Sequence, residues 1–105
     1  MSAAIVIADA SGVIIFWPPA AERLLGHSAS AVLGKTLDVI VPEEYRAMHW
    51  AGFKRALHSG HAKVEGEVGP FLVLQPDGRV LEIPGRLTLI RDAKGIVFSA
   101  MVVFG

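Results

Sequence analysis

VEGEVGPFLVLQPDGRVLEIPGRLTLIRDAKGIVFSAMVVF, residues 64–104, holds three β-rich stretches separated by two compact turns. Val64 to Leu74, Arg79 to Ile90 and Ile96 to Phe104 are dominated by β-branched and large apolar residues, which suit a pleated, half-buried surface. Pro76-Asp77-Gly78 and Asp92-Ala93-Lys94-Gly95 interrupt them with turn chemistry. Proline presets φ, aspartate bonds the backbone just ahead of it, and glycine accepts positive φ. Three consecutive antiparallel strands are therefore expected. Alternation in the last one is poor because nearly every residue is apolar. Such a strand is expected to be covered on both faces, by the core and by a partner, with Val97, Val102 or Phe104 supplying the partner contact.

Upstream, Glu43 to about Ser59 reads as the longest helix. Glu43 and Glu44 stand in its expected first turn, Lys54, Arg55 and His58 near its end, and Gly60 just beyond, which complements the helix dipole. Leu37 to Val41 is a short apolar segment stopped by Pro42. Ser28 to Leu33, followed by Gly34, and Ala20 to Leu25, followed by Gly26, read as two short helices. Ser28 is the candidate N-cap of one, and Pro18-Pro19 opens the other. At the start, Ala3 to Ala8 and Val13 to Trp17 flank Asp9-Ala10-Ser11-Gly12, a hairpin pattern. Strands segregated from helices predict an α+β domain, with a five-stranded antiparallel sheet covered on one face by several short helices and one longer one.

The chain has 105 residues, with 10 Lys+Arg balanced by 10 Asp+Glu, and 52% of it is hydrophobic. This length suits a single domain over residues 1–105, and the balance removes the basic footprint of a nucleic-acid binder. The apolar ending, Gly95 to Gly105, reads as part of a longer protein. No run of about 18 apolar residues suggests a membrane span, and Met1 to Ala4 lack the basic start of a signal peptide. With no cysteine, disulfides, thiolate nucleophiles and cysteine metal sites are excluded, and a reducing, cytoplasmic location is expected. Gly66 and Gly69 form no phosphate loop, the four histidines lack zinc spacing, and no serine sits in a nucleophile elbow. No enzyme is expected.

The order of elements and the motifs Asp9-Ala10-Ser11-Gly12-Val13-Ile14, Ala20 to Ser28 with Leu33-Gly34, Asp77-Gly78 and Asp92-Ala93-Lys94-Gly95 resemble a PAS domain over essentially the whole chain. Trp17-Pro18-Pro19 departs from the asparagine that many members carry before the first helix. The resemblance implies the PAS fold and a sensory role upstream of an attached effector. A narrower one rests on Pro42 to His49 and on His61 to Gly66 with Asp77-Gly78. These are similar to haem-binding PAS domains of rhizobial oxygen-sensing kinases and of the phosphodiesterase oxygen sensors of enteric bacteria. It implies haem b, with His49 on the iron and Arg55 pairing with a propionate; His61 and Lys63, just past the helix, are placed to serve the second.

Helical geometry is compatible with that role. At 100° per residue, Tyr45, Gly52, Phe53 and Ala56 share the face of His49, and the small Gly52 and Ala56 leave room for a flat ring. A neutral imidazole is a good iron ligand. A lone histidine on an apolar face also reads as an ordinary hydrogen-bonded core residue. Where the haem relatives place a distal arginine or a ferrous-ligating methionine, this chain has Gly69 and Glu67. The distal side is then expected to be apolar, built from Phe71, Val73, Leu87, Leu89 and Met101, favouring CO or NO over strongly held O2. Met101 on the last strand reads either as an alternative sixth ligand or as a core methionine filling irregular space. Trp50 is expected to pack on the helical layer, and His27 and His58 to sit on the surface. The absence of cysteine excludes a flavin adduct. Besides haem, two further readings stand: a PAS module holding another apolar or carboxylate-bearing molecule, with Arg55 or Lys63 as counter-ion, and a ligand-free dimerisation module. A homodimer through the sheet face is expected.

Overall fold

A computed structural model describes residues 3–105. The chain runs through β1 (Ala4–Asp9), β2 (Ile14–Phe16), α1 (Pro19–Leu25), α2 (Ala29–Val32), two 3₁₀ turns (Leu37–Val39 and Glu43–Tyr45), α3 (Arg46–Ser59), β3 (Val68–Leu74), β4 (Val80–Arg91) and β5 (Val97–Phe104). The strands form one antiparallel sheet in the order β2-β1-β5-β4-β3. The first and last strands thus pair at its centre, from Ala4↔Phe104 to Asp9↔Ser99.

The turns are built as their sequences require. Asp9 Oδ1 accepts the amides of Ser11 and Val13, and Asp92 Oδ1 those of Lys94 and Ile96, each at 2.9–3.0 Å. In both four-residue turns the closing glycine donates to the aspartate carbonyl at 2.9 Å and has positive φ. Pro19 opens α1, and Gly26 and Gly60 close α1 and α3 in the left-handed region.

The core lies on one face of the sheet. Ala4 and Val6 of β1, Ile14, Val73, Ile83 and Phe104 meet Ala20, Ala21, Leu25 and Val32 of the short helices. His27 stitches the two layers together: a ring nitrogen donates to the Leu74 carbonyl at 2.7 Å, and its own carbonyl accepts from Trp17 Nε1 at 2.9 Å. It is half-buried and structural, not the surface residue expected.

Three expected elements shift. The long helix starts at Arg46, because Glu43–Tyr45 is a 3₁₀ turn, so the two glutamates precede the α-helix. Ser28 occupies the N-cap position of α2 without capping it. Its hydroxyl faces that of Ser30, and the Ala29 amide donates to Glu22 of α1 instead. The third strand begins at Val68, not Val64. Turns close Ala62 to Glu65 and Val64 to Glu67, and Gly66 adopts φ +83. Among the described residues no helix is long and apolar enough to cross a membrane.

Candidate functional site

Between α3 and the inner face of the sheet lies a cavity of about 740 Å³, within the usual range for small-molecule sites. Its origin is the small side chains that face one another. Gly52 and Ala56 line it from α3, and Ala8 and Ala100, direct partners on β1 and β5, line it from the sheet. Strand alternation adds Val6, Leu87, Leu89 and Val102 to the sheet wall, and Phe71 and Val73 from β3. Among the described residues that line it, no side chain of that wall carries a hydrogen-bond donor.

α3 supplies the polar element. His49 is half-buried, with its ring centroid 5.0 Å from that of Trp50 and 5.9 Å from that of Phe53. Its Nδ1 is buried without a hydrogen-bond partner, the one such side-chain nitrogen or oxygen among the described residues. Leaving a buried polar atom unpaired costs about 1–3 kcal/mol. Burial pushes the imidazole below its ordinary pKa of 6.5, against a weaker upward pull from Asp38, which favours the neutral, ligating form. Trp50 anchors this part of α3. Its Nε1 donates to Asp38 Oδ1 at 2.7 Å, and its indole lies over Gly12, where a Cβ would come within 2.3 Å of the ring. This is the packing role expected of Trp50.

The mouth is basic and apolar together. Arg55, His61 and Lys63 are exposed and line the cavity, and none of them joins an ion pair among the described residues. Tyr45, Met48, Val64 and Leu72 contribute exposed apolar surface to the same lining.

The structure therefore gathers His49, Gly52, Phe53, Arg55 and Ala56 with His61, Lys63, Phe71, Leu87 and Leu89 around one space. Met101 does not belong there. Ala100 and Val102 face the cavity, so alternation along β5 sends Met101 to the opposite face, and it is neither a distal wall residue nor an alternative ligand. Val97 and Phe104 are buried on the inner side and Val102 lines the cavity, so these three are not partner-facing. The outer surface presents Met101 and Val103 instead, and Phe98 is exposed where β4 and β5 shift register. Glu67 is exposed and lies outside the cavity lining. Sequence reading missed Val6, Ala8 and Ala100, because β1, like β5, is apolar at nearly every position and only its pairing shows which side chains turn inward. It also missed the contact between Glu65 and Arg91. They lie 26 residues apart, and no local pattern links them.

The pattern of the PAS fold family matches residues 1–104. This chain belongs to the PAS family. The PAS domain is 32% identical over 102 residues to an uncharacterized protein of Azorhizobium caulinodans, an alignment covering 94% of this chain and 14% of that protein. It is 29% identical over 97 residues to the oxygen sensor protein DosP of Escherichia coli, covering 92% and 12%. The chain thus spans about one-seventh or less of these relatives' length. Among solved structures it resembles the PAS domain of a Colwellia psychrerythraea protein, with a TM-score of 0.79, 20% identity and coverage of 98% and 84%. It also resembles an RNA-binding light-oxygen-voltage receptor, with a TM-score of 0.74, 23% identity and coverage of 100% and 30%. At these identities the structural likenesses speak for the PAS fold alone.

Proposed function

We propose that this PAS sensory domain is the input module of a longer signalling protein, and that its cavity holds haem b through His49 to report a diatomic gas or redox state. The observation that carries the reading is the unpartnered, buried Nδ1 on an imidazole beside an apolar cavity whose opposite wall has no competing donor. A lone core histidine of the ordinary kind would be hydrogen-bonded. When bound, haem supplies an iron centre that takes a gas molecule or changes oxidation state. The chain's own residues do the rest. His49 offers a neutral imidazole, Gly52 and Ala56 leave room beside it, and the apolar sheet wall excludes water. Arg55, His61 and Lys63 receive acidic groups at the mouth. With Gly69 and Glu67 in place of distal donors or ligands, the apolar wall favours CO or NO over O2. The likeness to a protein named as an oxygen sensor supports the same class of signal.

The unpaired cations at the mouth favour a second reading, in which another apolar, carboxylate-bearing molecule occupies the cavity. In either case the partners are an attached effector and, through the outer sheet face bearing Met101 and Val103, a second copy of the domain in the cytoplasm.

The test is an ultraviolet–visible spectrum after haem reconstitution of the wild type and His49→Ala. A sharp Soret band that shifts with dithionite and with CO, and is lost in the variant, is the expected result. A wild type that takes up no stoichiometric haem sinks the haem reading.

A further inference from the structure

The segment Gly60 to Glu67 crosses the cavity mouth as a strap, and His61, Ala62, Lys63 and Val64 line the cavity from it. What holds it there is a clamp to β4. β3 pairs with β4 only as far as Val68↔Arg86, so the β4 edge beyond Arg86 lacks a strand partner on that side. The strap supplies the missing bonds. The Gly66 amide donates to the Leu87 carbonyl at 2.9 Å, and the Glu65 side chain accepts the Leu89 amide at 2.8 Å. Arg91 completes the clamp with a two-pronged approach to Glu65, at 2.7 Å to Oε1 and 3.1 Å to Oε2. It also donates to the carbonyls of Gly60, at 2.8 Å, and Leu89, at 3.2 Å. Both side chains are partly exposed, 33% for Arg91 and 22% for Glu65. A fork of this kind fixes geometry as well as charge.

Lys63 lies inside the loop that this clamp closes, two residues from Glu65, and Arg55 reaches the same mouth from α3. We propose that Glu65 and Arg91 are positioning residues for the cavity's ligand: by pinning the strap to β4 they hold Lys63, together with Arg55, as a fixed seat for the acidic group of an apolar ligand, which lies with its acid at the mouth and its apolar body against the sheet. The inference deepens the reading that the cavity takes an acid-bearing apolar molecule, of which haem is one example. Neither clamp residue lines the cavity, so they act through the strap and not by contact.

The experiment measures binding of two acids, hemin and cis-parinaric acid, and of their methyl esters, to the wild type, Glu65→Ala, Glu65→Gln and Arg91→Ala. Circular dichroism confirms that each variant is folded. The wild type is expected to prefer acid over ester. Glu65→Ala and Arg91→Ala should weaken acid binding about tenfold, the range for losing a charge-assisted hydrogen bond, with the change in the release rate and ester binding unmoved. Glu65→Gln keeps an acceptor for the Leu89 amide and should fall between. A clamp that served only to cap the β4 edge would weaken acid and ester alike, and that result overturns the proposal. So does a wild type with no preference for acid, or one that binds neither acid. Parinaric acid bound with clamp-dependent preference while hemin is not bound removes the haem reading and leaves this inference standing.

Discussion

α1 and α2 press Ala21, Leu25 and Val32 against the sheet until none retains measurable exposure, whereas α3, at 14 residues twice the length of α1, buries Ala56 alone. The same sheet serves both ends of the helical layer, so the difference lies in what faces it. Below the short helices, Val6, Ile14, Val73 and Phe104 interdigitate with branched side chains. Below α3, Ala8 and Ala100 meet Gly52 and Ala56 across open space, and only a small cluster of Ala56, Leu89 and Val97 closes the far side. One end is a packed core, and the other is a frame around a cavity, held at its margins by Trp50 and by the Glu65–Arg91 clamp. In this domain the branched side chains that fill the core are concentrated at one end, and the small ones at the other leave room for a ligand.

The sharpest way to break that contrast is to truncate one leucine at each end. Leu25→Ala should cost about 3–5 kcal/mol, the upper range for emptying a closed site, whereas Leu89→Ala, beside space that is already open, should cost nearer 2 kcal/mol. Urea denaturation of the two variants checks this, and equal losses would erase the distinction. A smaller effect probes the Trp50 anchor. Gly12→Ala places a Cβ within 2.3 Å of the indole at a φ of +79, and strain plus overpacking should cost about 2–3 kcal/mol. Trp50 should be displaced with it, visible as a red shift in tryptophan emission; an unchanged spectrum would mean that α3 is anchored elsewhere.

The smallest expected effect is at the strap and is sensitive to pH. Glu65 is held below its ordinary value of 4.5, first by the hydrogen bond from Arg91 and next by the Leu89 amide, with His61 a weaker favourable charge. A carboxyl depressed in the folded state stabilises it above the unfolded value, and that contribution is lost as pH falls through the folded one. Wild type should therefore exceed Glu65→Gln in melting temperature at pH 7, and the two should converge as the pH is lowered below 4.5. A difference that persists undiminished in acid would show that the clamp works by shape and not by charge.

Much of this was legible in the chain itself. Asp9-Ala10-Ser11-Gly12 and Asp92-Ala93-Lys94-Gly95 encode their turns locally, through an aspartate that bonds the following amides and a glycine that accepts positive φ. Gly26 and Gly60 likewise mark helix ends. Because helical spacing is a local rule, the face shared by His49, Gly52, Phe53 and Ala56 could be read from sequence, and all four line the cavity. Met101 shows where such reading stops. In a strand apolar at nearly every position no alternation indicates which face is inward, and only pairing with β1 and β4 fixed that Ala100 and Val102 point to the cavity. Val64 shows it too, since its apolar character suggested strand while hydrogen bonding made it part of a turn.

The order of strands and helices along the chain, the turns between them and the histidine-bearing face follow from residues close together in the chain. The remaining features arise only on folding. The inward face of β5, the His27 link to Leu74, the Trp50 seat on Gly12 and the clamp from Glu65 to Arg91 all join residues remote in sequence. The cavity itself arises only where small side chains from distant segments come to face one another, and no single segment records that space.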